Sequence, residues 1–483
     1  MTAVETKTPT AVRKFPLTTL IAMVVGSMVG AGIFSLPRNF ALATGVYGAL
    51  IAWVIAGTGM LMLAFVFQTL AVRKPGLDAG VYAYAKAGFG EYLGFFSAWG
   101  YWASACIGNV TYWVLVMSTI GRLWPGVFGQ GDTITAVLLS SAGIWIFHTL
   151  IARGVQEAAA INKIVTVAKI VPILTFIAVV IFGLKAHVFS ANLWGGEVHT
   201  ASALFGQVRA TMLTTVFVFL GIEGATVYSR YARRRQDVGR ATVIGFAGVL
   251  ALMVAVTVFS YGILSRAELE NLRQPSMAGV MEAVVGYWGT AFISVGVIVS
   301  VLGAYLAWTL MSAEVLYVAA KGRDMPSFLA RTSDKKVPVA ALIITSILIQ
   351  LALVITLFSA DAFTFTLKLC SSLSLIPYLL AAAYALKLGA SGETYDLRPQ
   401  ERTRQLFAAG LATFYTVFLV FAAGLDFLLL SFIIYAPGTA LFVMSRREQN
   451  RRYFSPAELV ILVIAVAGFI SGIAALATGA ITI

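Results

Sequence analysis

Charge is scarce in this sequence. Of 483 residues only 11% are Asp, Glu, Lys or Arg, where a soluble domain carries about 25%. A folded surface so poor in charge is not built to face water. Cysteine is nearly absent as well. Cys106 and Cys370 are the only two, both inside apolar runs, which excludes a disulfide framework. Histidine occurs three times, at His148, His187 and His199, without the spacing of metal ligands. No nucleophile–base pair can be assembled from the remaining polar residues. No catalytic residue, metal or cofactor is therefore expected, and the enzyme reading is weak. No segment between the apolar runs is long enough to form a soluble domain, which removes the output module of a sensor.

What is present is hydrophobicity, at 59% of residues and a mean hydropathy of +0.89. Runs of about 20 apolar residues cross a bilayer as helices. They recur at 17–40, 46–70, 91–121, 133–152, 160–184, 203–229, 241–264, 288–320, 338–358, 362–386, 405–424, 427–445 and 457–480. The pattern predicts an all-α integral membrane protein with about 13 transmembrane helices, preceded by a polar tail at 1–16. The first apolar run continues past Phe40, too long for the core of a cleaved signal peptide, and is read as a retained span. The stretch 79–89 is read as interfacial.

The net charge of +13 could suggest nucleic acid, but its distribution argues otherwise. With the N-terminus inside, the segments between spans place 26 Lys and Arg on the inner side and 6 on the outer, leaving Lys169 and Lys368 within spans. That is the positive-inside bias. Its partner is the inner leaflet of the lipid bilayer and not nucleic acid. The count implies a multi-pass protein of the cell (inner) membrane, N-terminus cytoplasmic and C-terminus extracytoplasmic.

Two spans carry glycine clusters. The first reads Gly26-Ser27-Met28-Val29-Gly30-Ala31-Gly32-Ile33-Phe34, with Pro37 after it; the sixth reads Phe217-Val218-Phe219-Leu220-Gly221-Ile222-Glu223-Gly224-Ala225. One such cluster is explained by close helix packing. Two, each opening a block of five spans, point to an inverted-repeat transporter with broken helices. A broken helix frees N–H and carbonyl groups that lipid cannot satisfy. N–H groups at a half-helix N-terminus bind a carboxylate and carbonyls accept from an ammonium, so a zwitterionic amino acid meets both needs. Ionisable groups within spans are costly and mark function. Here they are Glu223 in the sixth break, Lys169 in the fifth span and Lys368 in the tenth. Glu223 could instead cap loose backbone, Lys169 could be a structural cation, and Lys368 could snorkel outward.

These residues also carry a resemblance. The run Val25 to Pro37 resembles the first helix of the amino acid–polyamine–organocation superfamily. The segment Gly76 to Gly90, the run from Gly100-Tyr101-Trp102 through Gly108-Asn109, and Tyr228-Ser229-Arg230-Tyr231-Ala232 resemble its basic amino acid/polyamine antiporter branch. Within that branch the chain is most similar to arginine/ornithine antiporters of the arginine deiminase pathway.

The resemblance implies a 5+5 inverted-repeat transport core at 17–386, with repeats at 17–184 and 203–386, broken first and sixth helices, and additional helices at 405–483. It also implies a site. Gly30, Ala31 and Gly32 would bind the substrate carboxylate, and Leu220 and Gly221 would face its α-amino group. Asn109 and Tyr112 would flank the side chain, Trp308 would pack on it, and Ser371 and Ser372 would reach the guanidinium. Glu223 is implied in gating and proton sensing, Phe217 in the outer aromatic gate, and Lys169 in replacing a structural sodium ion. Relatives that exchange arginine for agmatine have tryptophan at Phe217 and a smaller or thioether residue at Tyr112, which weakens an agmatine reading. A thirteenth span exceeds the usual twelve.

The implied activity is secondary transport: arginine taken up in exchange for ornithine, with lysine also within reach and a homodimer compatible. The alternatives are a proton-coupled lysine/arginine permease, an exchanger of another amino acid for its amine, and a channel that would pass ions without saturating.

Overall fold

In the computed structural model, residues 16–77, 80–154, 158–223, 235–396 and 398–482 are described. Among the described residues, ten helices are long and apolar enough to cross a membrane. The pair Leu17–Met28 and Ala31–Ala41, bent by 54°, makes an eleventh crossing, span 1. Spans 2 to 4 are Val46–Arg73, Glu91–Ile120 and Ile134–Ala152. Span 5 is the 26-residue helix Ala158–Gly183, and span 6 opens with Ala201–Phe219. Spans 7 to 10 are Arg235–Ser260, Tyr287–Lys321, Val339–Ile355 and Ala362–Ser391. Pro456–Ala477 is the last helix.

Between them lies one continuous helical segment, Gln400–Glu448, of 49 residues. Straight, it would measure about 74 Å at 1.5 Å per residue, far more than a bilayer. It turns back at Gly424, whose backbone (φ 75°, ψ 171°) is not helical. Both its ends lie on one face of the molecule. Near its start, Gln405 and Glu401 accept hydrogen bonds from Arg73 at 2.6 and 2.9 Å. Near its end, Arg446 pairs with Glu91 at 2.5 Å. Gly424 itself lies beside the guanidinium of Arg209. The segment therefore supplies spans 11 and 12, and Pro456–Ala477 is span 13. The sequence spacing predicts a short break at 425–426, whereas the positive φ at Gly424 reverses the chain without a loop.

The face that gathers these ends is rich in Lys and Arg and is called the basic face below. On it Lys86 pairs with Asp324 at 2.6 Å and Lys74 with Glu393. Lys86 sits on the short helix Val81–Phe89, within the stretch 79–89. Arg38–Asp361 (2.7 Å), Arg122–Glu282 (2.6 Å) and Arg266–Glu270 (2.6 Å) pair on the opposite face.

Span 3 runs through the centre against spans 8 and 10; span 13 is the least buried crossing, its apolar surface turned to lipid. Spans 1 and 6 both break, and they enter from opposite faces, the relation an inverted repeat requires. Both cysteines are buried and free.

Candidate functional site

The helix of span 1 stops at Met28. Val29 (φ −76°, ψ 100°) and Gly30 (φ −118°, ψ −160°) are extended, and the chain resumes as a tight 3-10 turn at Ala31–Ser35 before continuing as Leu36–Ala41. The first N–H groups of the resumed helix have no acceptor within it, so the Ala31 and Gly32 amides open it unpaired by their own helix. Span 6 stops at Phe219. Leu220 (ψ 135°) leaves the helical region and Gly221 takes φ +99°. The residues 224–234 that follow, including the Tyr228–Ala232 motif, lie outside the described residues.

The two breaks press together. A Cβ added at Gly221 would stand 2.3 Å from the backbone oxygen of Ser27, and one at Gly32 would stand 2.6 Å from Val218 Cγ1 and 2.8 Å from Phe217 Cδ1. Glycine is required at Gly221 twice over, by its positive φ and by this approach.

A cavity of about 800 Å³ opens at the junction. Gly30, Ala31, Gly32, Tyr112, Phe217, Leu220, Gly221, Glu223, Trp308 and Lys169 all line it. It extends toward the basic face past Thr19, Tyr82 and Val318, and on span 1 it reaches no farther than Gly32 in the other direction. Beyond that limit the resumed helix is locked to its neighbours. Arg38 pairs with Asp361 and donates to the Glu270 carbonyl at 3.1 Å, and Gln274 Nε2 donates to Asn39 Oδ1 at 3.0 Å. The cavity is thus open to one face and sealed from the other.

Three expected residues do not reach the cavity. Span 3 lines it with Ala98, Tyr101, Ala105, Gly108 and Tyr112, a stripe at helical spacing. Asn109 stands one residue off that stripe, rotated by about 100°. It is fully buried, and its Nδ2 donates to Thr309 Oγ1 at 3.2 Å. Span 10 presents Cys370 to the cavity, so the next two residues turn away. Ser371 donates to the Leu213 and Leu367 carbonyls at 2.7 and 3.0 Å. Ser372 donates to the Phe427 carbonyl at 3.1 Å and meets Ser431 at 2.9 Å. A direct reach of these two serines to a substrate guanidinium is not what this geometry provides.

Glu223 is held by phenols that sequence reasoning left without a role. Tyr101 from span 3 donates to one carboxylate oxygen, and Tyr378 from span 10 donates to the other at 2.8 Å. Two oriented O–H donors fix the carboxylate at the break. Tyr101 could have been found from its place two helical turns before the expected Asn109; Tyr378 carries no local signal. Lys169, 8% exposed, extends its Nζ to the Gly26 carbonyl at 3.4 Å, the last stretch of span 1 before its break. Lys368 lies elsewhere, its Nζ 6.0 Å from the Phe427 ring centroid and outside the cavity lining. Among the lining residues the carboxylates are Glu223 and Glu314, and the one ammonium is Lys169.

The cavity therefore offers helix-end N–H groups, helix-end carbonyls, an aromatic wall and an anchored carboxylate within one enclosure. Comparison with known proteins agrees with that chemistry. The amino acid permease family matches residues 15–466. The chain is 48% identical over 462 residues to the arginine/ornithine antiporter of Pseudomonas aeruginosa, covering 94% of this chain and 96% of the relative. It is 40% identical to the L-lysine transport protein of Corynebacterium glutamicum, over 98% and 97% of the two chains. It is 36% identical to the arginine/agmatine antiporter of Chlamydia abortus, over 83% of each. A family match over nearly the whole length, on a fold of broken helices around one cavity, leaves a single conclusion: the chain belongs to the amino acid permease family.

Proposed function

We propose that this protein is a secondary transporter, not an enzyme, that exchanges cationic amino acids, arginine entering as ornithine leaves. The observation that carries the reading is the meeting of two broken helices at one cavity beside the Glu223 carboxylate. The 48% identity to a relative named for this exchange supplies the substrate pair. The transport core is 17–386, built of repeats 17–184 and 203–386, with the helices of 405–483 added outside it. The basic face is taken as cytoplasmic, a reading the positive-inside bias supports, with the N-terminus inside and the C-terminus outside. The cavity as described then faces the cytoplasm.

In this reading the substrate carboxylate lies on the amides of Gly30, Ala31 and Gly32, where the helix dipole favours negative charge. The α-ammonium meets the carbonyls at Leu220 and Gly221. The side chain runs between Tyr112 and Trp308, whose π-faces attract a cation by about 0.5–2 kcal/mol, and ends near Glu223. Phe217, pressed on Gly32, is the aromatic gate on the far side. Arginine and ornithine both carry a net single positive charge near neutral pH, so a one-for-one exchange moves no net charge. Lys169 braces the broken span 1 when the site is empty, which disfavours the unloaded transition.

The reading is tested by binding. Purified protein should bind arginine and ornithine in mutual competition and lysine more weakly, with agmatine, which lacks the carboxylate, at least tenfold weaker than arginine. Agmatine binding as tight as arginine would remove the role given to the Gly30–Gly32 amides. A second reading, a proton-coupled lysine or arginine permease, draws on the 40% identity to the lysine transport protein. It would put the proton on Lys169 or Glu223.

A further inference from the structure

The cavity continues below the breaks. Its wall on span 8 is a helical stripe, Trp308, Met311, Glu314 and Val318, running toward the basic face. Glu314 is exposed and, among the described residues, takes part in no hydrogen bond or ion pair. Six residues separate it from Trp308, a rise of about 9 Å along the helix. It therefore belongs to a different level of the cavity from the Glu223 carboxylate, which the phenols of Tyr101 and Tyr378 hold at the break.

An ionisable group inside a membrane span is costly and is kept for a function. Simple snorkelling to the membrane surface does not account for this one, because its stripe faces the cavity and not lipid. The mouth of that cavity lies on the basic face, the side to which the positive-inside reading of the sequence assigns 26 of the 34 Lys and Arg. A cationic amino acid approaching such a mouth is repelled. One unpaired carboxylate partway down the passage offsets that repulsion and gives the cation a resting place short of the breaks.

We propose that Glu314 forms a vestibule subsite that receives the side-chain cation of a cationic amino acid on its way between the basic face and the broken helices. The inference rests on the exchange reading above. The subsite sets the apparent affinity on the basic face alone, because on the other face the substrate meets the breaks first. It favours guanidinium and ammonium side chains equally, since an exposed carboxylate selects charge more than shape.

The experiment uses the full chain in vesicles of known single orientation, with exchange measured against varied arginine on either face. Glu314→Gln is expected to raise the half-saturating concentration about tenfold on the basic face. On the other face it should stay within twofold, with the maximal rate retained. Glu314→Asp, which keeps the charge, should stay near wild type on both faces. A change of equal size on both faces marks a structural role and overturns the proposal, as does no change on either. In wild-type vesicles, raising ionic strength should weaken apparent affinity on the basic face and leave the other unmoved, because a solvated vestibule is screened. Equal salt dependence on both faces overturns the proposal even if Glu314→Gln does not fold. Wild-type vesicles that exchange no arginine for ornithine sink the underlying reading. Exchange with an unmoved Glu314→Gln sinks this inference alone.

Discussion

Replacing Gly221 by alanine is expected to lower arginine exchange about a hundredfold while leaving the protein folded in the membrane. The residue sits at the break of span 6 with φ +99°, a conformation that costs an L side chain about 1–2 kcal/mol. The added Cβ would also stand 2.3 Å from the Ser27 backbone oxygen, and no rotamer change relieves a clash between two main chains. Spans 1 and 6 must then move apart by a fraction of an ångström to an ångström. A displacement of about 1 Å at a positioned site costs on the order of a hundredfold. The check is initial exchange rate per mole of reconstituted protein, with a size-exclusion profile to show a folded particle. A variant within threefold of wild type would mean that the contact between the two breaks does not shape the site.

Glu223→Gln is the second large effect. The phenols of Tyr101 and Tyr378 reach the two carboxylate oxygens; the amide oxygen can still accept from one of them and the amide NH2 can donate to the other hydroxyl, so the substitution removes charge with little change of shape. Taking away one partner of a buried charge pair costs about 2–5 kcal/mol. The lower figure suits a site open to water on one face, and it corresponds to a loss of about 30-fold in arginine affinity. A neutral analogue of arginine, with a urea group in place of the guanidinium, should lose less than threefold. Unchanged arginine affinity and rate would remove Glu223 from the site. Equal losses for arginine and the neutral analogue would make it a support for the backbone and not a partner for the cation.

Much of this architecture is legible in the sequence because a bilayer imposes it. Spans need about 20 apolar residues, so an all-helical, many-span membrane fold can be read without coordinates. The breaks are legible for a related reason. Glycine clusters in the first and sixth spans mark where helix is weakest, and the helices stop at Met28 and Phe219, inside those clusters.

Side-chain direction is what the sequence hides. Asn109, Ser371 and Ser372 lie one or two residues from positions that line the cavity, and each residue turns a helix by about 100°. A small error in helical phase therefore aims a side chain away from the cavity. The anchoring of Glu223 is hidden for another reason. Its phenols come from positions 122 and 155 residues away, and no local pattern links them. The reversal at Gly424 escapes notice because one positive-φ glycine does the work of a loop.

Labelled arginine uptake into liposomes distinguishes exchange from proton-driven uptake. Purified protein would be reconstituted with ornithine, agmatine, lysine or nothing inside. Uptake is expected with internal ornithine, less with lysine and least with agmatine. Empty vesicles should show background alone, and the rate should be indifferent to a pH gradient or a membrane potential. Uptake into empty vesicles driven by an inward proton gradient would contradict exchange, leaving a proton-coupled permease with Lys169 or Glu223 as the coupling site.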